Sequence, residues 1–106
     1  MTPTFNFQPD GSSSNPPTCS TQVAVTTSVQ QLTLPATQIK SGAMRLINSG
    51  TQNIAWCYGS NSGLSMTNGV VMLPNTVETF AFTSGVISVI GSAAGSTLIA
   101  SVGIGS

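Results

Sequence analysis

Apolar and polar residues alternate along most of this chain, and turn-forming residues interrupt the alternation at short intervals. Side chains that alternate in this way suit short strands with one buried face, and we find no window with a helical period. Seven or eight such strands predict an all-β chain, folded as an antiparallel β-sandwich or a jelly-roll-like domain. The alternating segments are residues 23–25, 32–34, 44–47, 54–58, 77–82, 86–90 and 98–104.

One dipeptide makes a more local prediction. Asn68-Gly69 is the preferred sequence of a two-residue type I′ hairpin turn. We therefore expect strands over residues 64–67 and 70–73 to pair across it.

Charged side chains are scarce. Only Asp10, Lys40, Arg45 and Glu78 are charged among 106 residues, and histidine is absent. General acid–base catalysis depends mainly on these residue types, so we expect no enzyme. Two basic residues are too few for nucleic acid or for a polybasic membrane contact. At net charge zero, little repulsion separates copies, which favours a part built to contact itself or a larger assembly.

The two cysteines, Cys19 and Cys57, have no histidine beside them, and the other candidate ligands, Asp10 and Glu78, are scattered. We therefore expect no metal and no cofactor. Residues 1–7 lack the pattern of a secretory signal, so a reducing compartment and two buried free thiols are expected. The alternative is a Cys19–Cys57 disulfide, which would stabilise the fold by roughly 4 kcal/mol if the geometry allowed it.

Residues 86–105 carry no charge and include Gly91 and Gly95 at the G-x-x-x-G spacing of membrane helices. Only eleven of these twenty residues are apolar, and the segment has no flanking anchor residues. We interpret it as two strands joined by residues 91–96, and expect no membrane partner.

Residues 1–20 contain four of the six prolines and no strand pattern. We predict an extended N-terminal arm over 1–20, followed by a β-sandwich domain over 21–106. Phe5 and Phe7 alternate around Asn6 and are candidate anchors on a neighbouring subunit or a host surface, because aromatic side chains are enriched at interfaces. A mobile tail is the alternative.

Arg45 and Glu78 both fall inside predicted strands. They are candidate assembly contacts, paired with each other across the sheet or across a subunit boundary, and the alternative is two solvated side chains. Trp56 and Tyr58 share a strand face, which suits either the core or a sugar-binding platform.

Several short segments together resemble a known group of proteins. They are 45–50 (Arg-Leu-Ile-Asn-Ser-Gly), 54–59 (a strand ending in Gly), 73–74 (Leu-Pro), 78–80 (Glu-Thr-Phe) and 103–105 (Gly-Ile-Gly). With them, residues 42–105 resemble small virion proteins of tailed bacteriophages, of the head decoration or cement type. Asn75 stands where that group usually has Gly. The resemblance implies a β-sandwich subunit seated on a capsid lattice and no catalytic residue.

These observations lead to one functional hypothesis and two alternatives. We expect a capsid decoration protein, made in the host cytoplasm and placed on the capsid surface of the virion. Its partners would be the major capsid protein and copies of itself, as a dimer or trimer. The alternatives are a tail fibre or spike module that binds a receptor or glycan, and a self-assembling fibre or surface-layer subunit.

Overall fold

The computed structural model describes residues 7–9, 11, 15–35 and 42–104. Over these residues the chain forms nine β-strands and no helix. The predicted all-β class is therefore confirmed. The strands are β1 (Gln8–Pro9), β2 (Thr21–Val25), β3 (Gln30–Thr33), β4 (Ala43–Gly50), β5 (Ile54–Tyr58), β6 (Val70–Met72), β7 (Thr76–Ala81), β8 (Val86–Gly91) and β9 (Ser96–Ile104).

The strands form two antiparallel sheets. In the five-stranded sheet, β9 pairs with β4 on one side and with both β1 and β2 on the other. The other side of β4 pairs with β7. The four-stranded sheet has the order β3-β8-β5-β6. Apart from the short β1, the two orders are therefore β2-β9-β4-β7 and β3-β8-β5-β6, which is the eight-stranded arrangement of a jelly roll. The sandwich prediction is confirmed in this form.

The core lies between the two sheets and uses alternate residues of each central strand. Met44 and Leu46 of β4 are fully buried, whereas Arg45 and Ile47 point to the opposite face and are half-buried. This division is the one that the alternation predicts. The other fully buried apolar side chains include Ile54, Trp56, Met72, Ile87, Val89, Leu98, Ala100 and Val102.

The strands predicted within residues 86–105 are present over residues 86–104. Residues 86–91 and 96–104 form β8 and β9, in different sheets. Within the described part of the chain, no helix is long and apolar enough to cross a membrane.

The predicted Asn68-Gly69 hairpin is wrong. β6 pairs with β5, with Val70 opposite Trp56, and residues 64–67 form no strand. The Asn68 side chain explains the difference, because its Oδ1 accepts from the Ser65 N–H at 2.8 Å and its Nδ2 donates to the Gly63 carbonyl at 3.0 Å. These bonds fold residues 63–68 into a turn, so they cannot extend as a strand.

Part of the predicted N-terminal arm lies on the domain itself. β1 pairs with the end of β9, with Pro9 opposite Gly103. A Cβ at Gly103 would lie 1.9 Å from the Gln8 carbonyl oxygen, so only glycine permits this approach. Phe5, Asp10 and Lys40 lie outside the described residues.

Candidate assembly surfaces

Arg45 and Phe7 contact each other on the outer face of the five-stranded sheet. The Arg45 Cζ lies 4.7 Å from the centre of the Phe7 ring. This is a cation–π contact, and Phe7 is only 9% exposed. Arg45 Nε is buried and has no hydrogen-bond partner among the described residues. The role of Phe7 as an anchor on a neighbour stays a prediction, but within one chain its ring already packs against Arg45.

The structure does not bring Arg45 and Glu78 together. In the register of β4 and β7, Arg45 lies opposite Thr79, and Leu46 lies opposite Glu78. Residues that lie opposite each other project to the same face of a sheet. Glu78 is therefore on the inner face with Leu46, and Arg45 is on the outer face. Glu78 remains exposed because β7 is the edge strand.

Trp56 belongs to the core and cannot act as a sugar platform. It is 1% exposed, and its ring makes edge-to-face contacts with Tyr58 at 5.0 Å and Phe80 at 4.7 Å between centroids. Tyr58 is 39% exposed, and its hydroxyl donates to the Ala81 carbonyl at 2.5 Å. Because Tyr58 lies on β5 and Ala81 on the edge strand β7, this bond connects the two sheets.

Cys19 and Cys57 are free thiols, and each is half-buried. Cys57 lies opposite Ser88 in the four-stranded sheet, whereas Cys19 precedes β2 in the five-stranded one. Over the described ranges, no group of three or more His, Cys, Asp or Glu residues could hold a metal ion.

The largest exposed apolar side chains concentrate where β6 leads into β7. They include Val70, Val71, Leu73 and Val77, of which Leu73 is 58% exposed and Val77 57%. β6 and β7 are edge strands of different sheets, so this apolar edge follows one side of the sandwich. We did not predict this apolar edge from the sequence, although the four consecutive apolar residues 70–73 indicate it. A half-buried strand can hide only alternate residues.

The sequence pattern also did not indicate that Asn48 connects parts of the fold. Its side chain is fully buried at the inner face of β4. Its Nδ2 donates to the carbonyls of Gln52 at 2.9 Å, Met72 at 3.1 Å and Leu73 at 3.1 Å. Asn48 thereby fixes the turn between β6 and β7 to the five-stranded sheet, and so holds the apolar edge in place.

Comparison of the chain with protein-family models, curated proteins and solved structures gives no match. Any functional assignment therefore depends on the residues and geometry described above.

Proposed function

We propose that the chain is a non-enzymatic virion structural protein, a capsid decoration protein that stabilises a phage head by binding the assembled shell. The observation that carries the proposal is the jelly-roll topology of an almost uncharged chain with an apolar edge over residues 70–77. Jelly rolls recur in viral capsid and lectin domains, and exposed apolar side chains gain free energy when a partner removes them from water.

The scarcity of charge suits such a role. Burying charged groups in an interface requires their desolvation, whereas apolar and hydroxyl side chains avoid most of that cost. Binding to the shell and not to its free subunits stabilises the shell by mass action. At a free concentration of one hundred times Kd, the effect is about 2.7 kcal/mol for each occupied site.

The amount of the protein in virus particles tests the proposal. A decoration protein should be present in purified particles in hundreds of copies, comparable to the major capsid protein, because closed symmetric shells repeat their binding sites. Quantitative mass spectrometry against the major capsid protein measures this ratio. A few copies, in multiples of three or six, would instead favour the tail fibre or spike alternative. Absence from particles would contradict both.

Deleting residues 1–20 should leave a folded domain that occupies heads poorly. The domain should fold because, among the described residues, the deletion removes β1 and the contact of Phe7 with Arg45 but leaves β2 to β9 intact. We expect occupancy to fall at least about tenfold, which corresponds to a loss of about 1.4 kcal/mol of binding free energy. Quantitative binding of the purified protein to undecorated heads measures it.

The control for this deletion is Gln31→Ala, which changes an exposed residue on β3, outside the deleted segment. Circular dichroism should show that β2 to β9 remain folded in both variants. Occupancy that is unchanged by the deletion would remove the N-terminal segment from the proposed contact.

A further inference from the structure

The edges of the two sheets differ in how they are protected against pairing with another strand. On one side of the sandwich, β2 and β3 approach each other, and the Thr21 hydroxyl donates to the Thr33 carbonyl at 3.1 Å. On the other side, β6 has only three residues and Pro74 follows closely. β7 is six residues long and contains no proline. Among the described residues, no strand pairs with its outer edge. Its charged residue, Glu78, points inward, which is a known protection of edge strands.

The backbone groups that β7 offers follow from its pairing with β4. The Phe82 N–H donates to the Gly42 carbonyl at 3.3 Å, so Phe82 bonds toward β4, and the next pair, Ala81 and Ala43, is a non-hydrogen-bonded pair. Hydrogen-bonded and non-hydrogen-bonded pairs alternate along an antiparallel ladder, so Glu78 also bonds toward β4. The N–H and C=O groups of Val77 and Thr79 therefore point away from the sheet.

The position of Tyr58 agrees with this alternation and limits the open edge. Its hydroxyl donates to the Ala81 carbonyl. Ala81 has the same orientation in the strand as Thr79, so its carbonyl also points away from β4. That bond occupies the end of β7. The open part of the edge is thus Val77 to Thr79, with an apolar side chain on the outer face and a carboxylate on the inner face.

A second copy of the chain would meet an electrostatic conflict at this edge. The antiparallel register that uses all four free backbone groups places Val77 of each copy opposite Thr79 of the other. It also places the two Glu78 residues directly opposite each other as a non-hydrogen-bonded pair. Cα atoms in such pairs are about 4.5 Å apart, with the side chains close together. Like charges in this position are destabilising.

We propose that the β7 edge accepts an antiparallel strand of a different protein that carries Lys or Arg opposite Glu78, and that Glu78 prevents a second copy from pairing there. Main-chain hydrogen bonds to Val77 and Thr79 supply the attachment, and the charge of Glu78 supplies the selectivity. This inference goes beyond the proposed function, because it concerns which strand can pair with β7 and holds for a protein used inside or outside a virion. Any closed homo-oligomer would then use side-chain surfaces and not this edge.

A charge-swapped copy can stand in for the basic partner strand. The wild-type chain alone and the E78K chain alone should not pair through β7, because each opposes like charges. A one-to-one mixture should pair, because it opposes Glu78 to a lysine. NMR-detected hydrogen exchange of the Val77 and Thr79 amides measures pairing at this edge. At a partner concentration of about ten times Kd, exchange of these amides should slow about tenfold.

T79K is the matched control. It introduces the same charge on the neighbouring residue, but on the outer face of β7, where it does not oppose Glu78 of the other copy. Exchange in a mixture of wild type and T79K should therefore stay fast. E78R repeats the test with the other basic side chain if E78K does not fold, and the emission of Trp56, which is the only tryptophan, reports folding.

Three results would overturn the proposal. These are slow exchange of both amides in the wild type alone, fast exchange in the mixture with the folded E78K or E78R chain, and equal slowing with T79K. The first would mean that the edge is already paired. The second would mean that it does not accept strands, and the third that any added positive charge suffices.

Discussion

Asn48→Asp is expected to lower the free energy of unfolding by about 3–5 kcal/mol at neutral pH, the range seen when a buried charge lacks its partner. The Asn48 Nδ2 donates to three backbone carbonyls. An ionised carboxylate has no donor, so it would place a negative charge against these three oxygens in the core. Chemical denaturation followed by the emission of Trp56 measures the effect.

The destabilisation in this variant should depend on pH. Burial and the neighbouring carbonyls raise the pKa of the introduced carboxyl in the folded state above its unfolded value of about 3.9. Below that value the carboxyl is protonated in both states, and the variant is at its most stable. Stability then falls as pH rises from about 4 toward the higher folded-state pKa.

Asn48→Ala is the control for this pH dependence. It removes the same hydrogen bonds without adding a charge, and should cost roughly 2–4 kcal/mol at every pH. Equal stability curves for the two variants across pH would show that the introduced carboxyl is solvated, and would contradict the burial of Asn48.

Trp56→Ala is expected to cost about 3–5 kcal/mol of unfolding free energy, since it removes the largest fully buried side chain. The cavity would lie between Tyr58 and Phe80, which both contact the indole ring. Because the variant has no tryptophan, far-UV circular dichroism in denaturant follows its unfolding, and the wild type is measured in the same way.

Tyr58→Phe provides the comparison for the Trp56 variant. It keeps the ring against Trp56 but removes the hydroxyl that donates to the Ala81 carbonyl. We expect a cost of about 1 kcal/mol, typical of one hydrogen bond. A loss at Trp56 no larger than that at Tyr58 would place the indole outside the core.

The sequence predicts the central strands well because their environment is simple. Ile54–Tyr58 is observed with the predicted bounds, and β4, β8 and β9 lie where the alternation indicates. Each is covered by neighbouring strands on both sides, so burial of one face determines which residues point inward. The division of Met44 and Leu46 from Arg45 and Ile47 follows for the same reason.

The edges and the polar contacts are harder to predict, since they depend on tertiary neighbours. Alternation indicates that β7 is a strand, but not that it is an edge strand on which the inward Glu78 stays in solvent. Asn68 favours a hairpin turn in isolation, yet its side-chain bonds to Ser65 and Gly63 organise a different turn. The Asn48 side chain bonds to the carbonyls of residues 52, 72 and 73. No local sequence pattern predicts these contacts.

The pairing of β9 has a consequence for how the chain folds. β9 bonds to β4 on one side and to β1 and β2 on the other, so Thr21 lies opposite Ala100, about 80 residues away in sequence. The middle of the five-stranded sheet is therefore supplied by the final strand of the sandwich. Loops this long must close before these contacts form, which places the chain among slow, non-local folders with times of milliseconds to seconds. Until β9 arrives, β2 and β4 have no common neighbour, and a chain lacking it would have two unconnected halves of a sheet.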